Sequence, residues 1–61
     1  MKIRDVIRLV ELNGWFQVSQ KGSHRQFKHL EKSGKVTIAG HPSAEMDKGT
    51  YNSILKQAGL K

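Results

Sequence analysis

The sequence predicts a small α+β fold of order α-β-β-β-α, in which two helices cover one face of a three-stranded antiparallel sheet. Both ends of the chain carry apolar residues at the i, i+3, i+4, i+7 spacing of an amphipathic helix. Three short segments typical of strands lie between them, and the short connections favour an antiparallel meander. With 61 residues, the chain is expected to form one domain spanning residues 1–61.

The first helix is predicted at about residues 4–12, and it is expected to end at Asn13 and Gly14, which readily adopt the left-handed conformation. Its buried face consists of four apolar residues: Ile3, Val6, Ile7 and Val10. The second helix is predicted to begin after Asp47, a favourable N-cap residue, and to end at Gly59 with Leu60 closing the cap. Its core-facing residues are Tyr51, Ile54, Leu55 and Ala58.

The first strand is predicted at residues 15–19, with Phe16 and Val18 directed into the core. A turn is expected at residues 21–23. Trp15 could be a stacking platform for a nucleic-acid base. Its position at a junction between helix and strand favours a packing role instead.

The second strand is predicted at His24–His29, and an inward Phe27 places alternate residues on the opposite face. These outward residues are His24, Gln26 and Lys28. The third strand is predicted at residues 35–39, with Val36 and Ile38 directed inward. One face of the sheet is then left open, because both helices cover the other face.

Composition favours an anionic partner. Eleven Lys and Arg residues against five Asp and Glu give a net charge of +6, which attracts polyanions such as nucleic acid; a merely solvated basic surface is the alternative. The chain has no cysteine, which excludes disulfides and thiolate zinc sites. Charged residues interrupt positions 1–10, leaving no apolar run for a signal peptide or membrane span, so the protein is expected in the cytoplasm.

Five ordered segments resemble the HicA family of toxin–antitoxin systems: residues 1–7, 13–15, 20–29, 40–42 and 53–60. The resemblance implies a fold like that of double-stranded RNA-binding domains. It also implies cleavage of messenger RNA, growth arrest, and inhibition by a HicB-type antitoxin. The catalytic residue of the family is the histidine of a Gly-Ser-His element, which corresponds here to His24. Asp47-Lys48 stands where many relatives have a proline pair, which concerns the start of the last helix rather than the chemistry.

His24 is therefore the candidate catalytic residue. RNA supplies its own nucleophile, the ribose 2′-hydroxyl, so a ribonuclease needs a proton acceptor or donor and positive charge but neither a metal nor another cofactor. An imidazole populates both protonation states near neutral pH. Lys21 and Arg25 are expected to disfavour its charged form, which favours a general base; a general acid remains the alternative.

The candidate RNA-binding residues surround His24 in sequence or are expected on its face of the sheet: Lys21, Gly22, Ser23, Arg25, Lys28 and Lys35. Gly22 could allow close approach of a phosphate, or it could simply supply a turn conformation. His41 is a possible auxiliary residue or a histidine that shapes the turn before Pro42. His29 is five residues from His24 on one strand, so the two rings are expected on opposite faces and do not predict a shared metal ion.

Two other functions are compatible with this pattern. One is a non-catalytic RNA-binding module, because the fold reads duplex RNA by its shape and its phosphates. The other is an adaptor that binds only protein, which would show no salt-dependent affinity for RNA.

Overall fold

The computed structural model describes residues 1–61 and confirms the predicted order of elements. The three strands form one antiparallel sheet with the spatial order β1-β2-β3, which is the predicted meander. The elements are α1 (Ile3–Leu12), β1 (Trp15–Lys21), β2 (His24–His29), β3 (Val36–Ile38) and α2 (Lys48–Gln57).

The start of α1 is held by the loop that connects β3 to α2. The backbone N–H groups of Ile3 and Arg4 donate to the carbonyl oxygens of Ala44 and Pro42, each at 3.0 Å. Donors at a helix N-terminus have no partner within the helix, so these bonds satisfy them from outside. The loop is thereby fixed against the helix, although it has no regular structure of its own.

Both predicted caps of α2 are confirmed. The carboxylate of Asp47 accepts hydrogen bonds from the backbone N–H of Thr50 at 3.0 Å and from its hydroxyl at 2.8 Å. At the other end, Gly59 has a φ of +71° and the N–H of Leu60 donates to the carbonyl of Leu55 at 2.8 Å. This bond and the left-handed glycine form a Schellman motif.

One hydrophobic core lies between the sheet and the two helices. Both helices therefore pack on the same face of the sheet, as predicted. Neither helix is long and apolar enough to cross a lipid bilayer. The nine buried apolar residues are Ile3, Val6, Val10, Trp15, Phe27, Val36, Ile38, Ile54 and Ala58.

The predicted orientation of β1 is wrong. Phe16 and Val18 are 43% and 47% exposed, whereas Trp15 is only 2% exposed. Trp15 fills the core, and its indole N–H donates to the carbonyl oxygen of Ala58 at 3.3 Å. Because side chains alternate along a strand, an inward Trp15 places Phe16 on the opposite face. Trp15 is thus a packing residue and is not available to stack on a base.

A β-bulge interrupts the pairing of β1 with β2. Gln17 lies opposite Phe27 and Ser19 lies opposite Gln26, so Val18 is an extra residue without a partner. A bulge adds one residue to one strand of a pair. The inward and outward alternation of β1 is consequently reversed after Val18.

Candidate functional site

The open face of the sheet carries the alternate residues of β2. Arg25 and Phe27 are buried, with 8% and 0% exposure, and they lie on the side of the helices. His24, Gln26 and Lys28 therefore lie on the side that no helix covers. This arrangement confirms the orientation predicted for β2.

His24 lies at the end of the β1–β2 hairpin, directly opposite Lys21. The bulge at Val18 places Lys21 on this face, since strict alternation from the inward Trp15 would direct Lys21 inward. Paired side chains of antiparallel strands have Cβ atoms about 5 Å apart. The ammonium group of Lys21 is thus within reach of any anion bound at His24.

The hairpin turn consists of Gly22 and Ser23. Gly22 has a φ of +59°, and Ser23 does not have a positive φ, which is the pattern of a type II′ turn with glycine in its first central position. The turn therefore requires Gly22 for its backbone conformation. The space where a Cβ would lie is also empty to 4 Å, so the backbone is open to approach from outside.

Two shallow depressions run along the open face. The histidine depression has a volume of about 360 Å³ and is lined by Ser19, Lys21, His24 and Gln26. The lysine depression has a volume of about 430 Å³ and is lined by Gln26, Lys28, Gly34 and Lys35. Gln26 lines both, so the two depressions adjoin at this residue, and together they are called the track. Lys35 thus lies beside Lys28, on the same face as His24, as predicted.

The charge on this face is positive and uncompensated. None of the three strands contains Asp or Glu. The only salt bridge of the chain joins the N-terminal ammonium group to Glu45 at 3.0 Å, far from the lysines of the track in sequence. The five carboxylates lie in the helices and loops: Asp5, Glu11, Glu31, Glu45 and Asp47. An anion on the track would therefore meet lysines without competing carboxylates from the strands.

The position of Arg25 differs from the one predicted from the sequence, in which Arg25 flanks His24 and contacts RNA. It does not flank His24 on the open face, because neighbouring strand residues point to opposite sides and Arg25 is buried among the core elements. Its guanidinium donates to the carbonyl oxygens of Ser23 at 3.3 Å and Gly40 at 3.0 Å. Arg25 therefore joins the hairpin turn to the loop after β3 and does not present its charge to a ligand on the track.

His29 has a structural role on the other face. Its Nδ1 accepts hydrogen bonds from the N–H groups of Glu31 and Lys32 at 3.0 and 3.1 Å, so its Nε2 donates to the carbonyl of Asn13 at 2.9 Å. The ring also makes an edge-to-face contact with Trp15 at a centroid distance of 5.2 Å. The prediction that His24 and His29 lie on opposite faces is confirmed. No group of three or more His, Asp or Glu side chains is arranged to hold a metal ion.

His41 belongs to the loop after β3. Its Nδ1 lies 3.0 Å from the hydroxyl of Ser43, and it lines neither depression. The preceding Gly40 donates its N–H to the carbonyl of Ser23 at 3.3 Å, which places this loop beside the hairpin turn. These local bonds fit a histidine that shapes its own turn.

Three residues of the open face are not among the functional candidates predicted from the sequence: Phe16, Ser19 and Gln26. Gln26 alternates with His24 and Lys28, so the strand period alone could have indicated it. Ser19 and Phe16 could not be assigned in the same way, because their orientation depends on the inward Trp15 and on the bulge at Val18.

The chain matches the family model of HicA toxins of bacterial toxin–antitoxin systems over residues 3–60. It is also similar to a chain in a solved structure of a toxin–antitoxin complex from Streptococcus pneumoniae, with 31% sequence identity and a TM-score of 0.79. That similarity covers 98% of each chain. No curated protein sequence matches at a significant level. The match over nearly the whole length shows that this chain belongs to the HicA toxin family of bacterial toxin–antitoxin systems.

Proposed function

We propose that this toxin is a cytoplasmic endoribonuclease that cleaves messenger RNA and thereby arrests translation and growth, with His24 as its catalytic residue and without a metal or other cofactor. One observation carries the proposal. His24 lies in an open depression, opposite a lysine, on a face whose strands contain no carboxylate. That arrangement suits a polyanion whose chemistry needs a proton acceptor or donor.

The reaction uses the substrate's own hydroxyl group. The imidazole of His24 removes the proton of a ribose 2′-hydroxyl, and the 2′-oxygen attacks the adjacent phosphorus. The bond from phosphorus to the 5′-oxygen breaks, and this oxygen takes a proton from solvent. The products are a 2′,3′-cyclic phosphate and a 5′-hydroxyl end. In the alternative assignment, His24 supplies the proton to the leaving 5′-oxygen.

Lysine side chains hold the phosphates and stabilise the charge that develops during cleavage. Lys21 serves the reacting phosphate, because it lies opposite His24. Lys28 and Lys35 line the lysine depression and serve neighbouring phosphates. The open backbone at Gly22 and the exposed hydroxyl of Ser23 lie beside the reacting phosphate. Arg25 has no part in binding in this scheme, because it is buried.

The partner that controls the toxin is a HicB-type antitoxin. The similar chain from Streptococcus pneumoniae belongs to a toxin–antitoxin complex. An antitoxin that places carboxylates over the track would neutralise its lysines and block access to His24.

The test is incubation of the purified chain with a defined RNA in the presence of EDTA. We expect cleavage to persist in EDTA and to fail on the same RNA carrying 2′-deoxyribose at the cleavage position, because the nucleophile is then absent. Intact RNA with a retained gel shift would instead indicate a non-catalytic binding module. No salt-dependent affinity for RNA would indicate a protein adaptor.

A further inference from the structure

The open face carries one exposed aromatic side chain, Phe16, which lies opposite Lys28 in the β1–β2 pairing. We propose that Phe16 is a stacking platform for an unpaired base, so that this face takes single-stranded RNA rather than a duplex. The inference rests on the proposed function for the identity of the polymer. It adds the strandedness of the substrate and a residue that recognises it.

The position of Phe16 suits a nucleotide a short distance along the RNA from the cleavage site. Lys28 is four residues along β2 from His24, a distance of about 13 Å at the usual rise of a strand. Phe16 lies beside Lys28, with Cβ atoms about 5 Å apart. A single RNA strand with one phosphate at His24 can thus follow the track, place another phosphate at Lys28 and stack a base on Phe16.

The other aromatic rings are not available for this role. Trp15 and Phe27 are buried, and Tyr51 packs against the core from α2. Single exposed apolar residues are common on protein surfaces and need no function. Phe16 differs because it is 43% exposed and lies opposite a lysine of a track whose strands contain no carboxylate. Aromatic rings next to cations are the usual combination in proteins that bind single strands.

The strandedness follows from the same geometry. Bases within a duplex are stacked on their neighbours and paired, so their faces are not free to contact a side chain. An exposed ring on this face gains contact only with bases that are splayed out. Duplex RNA would meet the lysines but not the ring.

The experiment measures equilibrium binding of a short unstructured oligoribonucleotide to the chain carrying His24→Ala, which removes cleavage from the measurement. Adding Phe16→Ala should weaken binding by roughly 5- to 150-fold, the usual range for one base stack. Phe16→Tyr should restore it, whereas Phe16→Leu should not. Leu12→Ala, at an exposed apolar residue of α1, is the matched control and should leave affinity unchanged.

The salt dependence separates stacking from charge. Phe16→Ala should lower the affinity for RNA at every salt concentration, but it should not change the slope of the logarithm of the association constant against the logarithm of the salt concentration. Lys28→Gln should reduce the magnitude of that slope by about 0.7, because one phosphate contact is lost. The same RNA annealed to its complement should bind equally well to the His24→Ala chain with and without Phe16→Ala. The melting temperature of each variant is measured and should equal that of the parent, which shows that the variant is folded.

Equal affinity of Phe16→Ala and its parent for the single strand would overturn the inference, and so would an equal loss on the duplex. A loss of antitoxin binding with unchanged RNA binding would also overturn it, because Phe16 would then be a protein contact. These outcomes are independent of cleavage. A chain that shows the Phe16 effect but cuts no RNA would overturn the ribonuclease proposal and leave the stacking inference standing.

Discussion

Arg25 and Lys28 lie on one strand and carry the same charge, yet the structure gives them different surroundings. Arg25 is 8% exposed and bonded to two carbonyl oxygens, whereas Lys28 is exposed on the track. The sequence could have separated them, because Arg25 shares the parity of the inward Phe27. Sequence proximity to His24 suggested a phosphate contact for Arg25, but strand alternation determines which face a side chain occupies.

Substitution of the two cations should therefore affect the stability of the fold to different extents. We expect Arg25→Met to reduce the free energy of unfolding by about 1–3 kcal/mol, since the partly buried hydrogen bonds from the guanidinium to the Ser23 and Gly40 carbonyls are lost. Lys28→Gln should change it by less than about 0.5 kcal/mol, because the side chain is exposed. Denaturant titration measures both. A destabilising Lys28→Gln together with a neutral Arg25→Met would contradict these assignments.

At the scale of elements, the helices and β2 could be predicted closely and β1 could not. The positions of α1 and α2 could be predicted because each helix has one stripe of apolar residues at helical spacing and a recognisable residue at its end. In β1 both parities contain apolar residues, Trp15 on one and Phe16 and Val18 on the other, so the pattern did not decide the orientation. The bulge at Val18 has no sequence signature, although it puts Trp15 and Lys21 on opposite faces of the sheet.

The cap of α2 predicts a dependence of stability on pH. The hydrogen bond from the Thr50 N–H, with that from its hydroxyl, holds the pKa of Asp47 below its usual value of 3.8. A depressed pKa in the folded state means that the contribution of this group is complete above pH 3.8 and is lost as the pH falls through the lower folded value. We expect Asp47→Ala to lower the melting temperature at neutral pH, and the difference from the parent to shrink in acid.

Asp47→Asn is the matched control, because asparagine caps a helix but does not titrate. Its stability relative to Asp47→Ala should stay constant across the same pH range. The assignment of the cap would be contradicted if the difference between Asp47→Ala and the parent were the same at neutral pH and well below pH 3.8.

The whole molecule separates its packing and its charge onto the two sides of the sheet. The helices and the core occupy one side, and the lysine-lined track occupies the other. The sequence predicted this separation, since each helix has one apolar stripe and β2 alternates cleanly. The sequence could not predict that the two depressions meet at Gln26, because this depends on the register of all three strands.

The track also predicts how strongly salt weakens RNA binding. Three lysines face it, Lys21, Lys28 and Lys35, and each phosphate that they neutralise contributes about −0.7 to the log–log slope for a single strand. We expect a slope near −2 for the whole chain, from binding measured over a series of salt concentrations with His24→Ala. A slope near zero would mean that the basic surface is only solvated.

The proposed ribonuclease activity depends most on His24 as the group that moves a proton. The direct measurement is the cleavage rate of one defined RNA by the parent, His24→Ala and His41→Ala under identical conditions. General acid–base catalysis typically contributes about 10²- to 10⁴-fold, so we predict a loss of this size for His24→Ala and little change for His41→Ala. A folded His24→Ala protein that cuts RNA at the parental rate would show that His24 is not the catalytic residue.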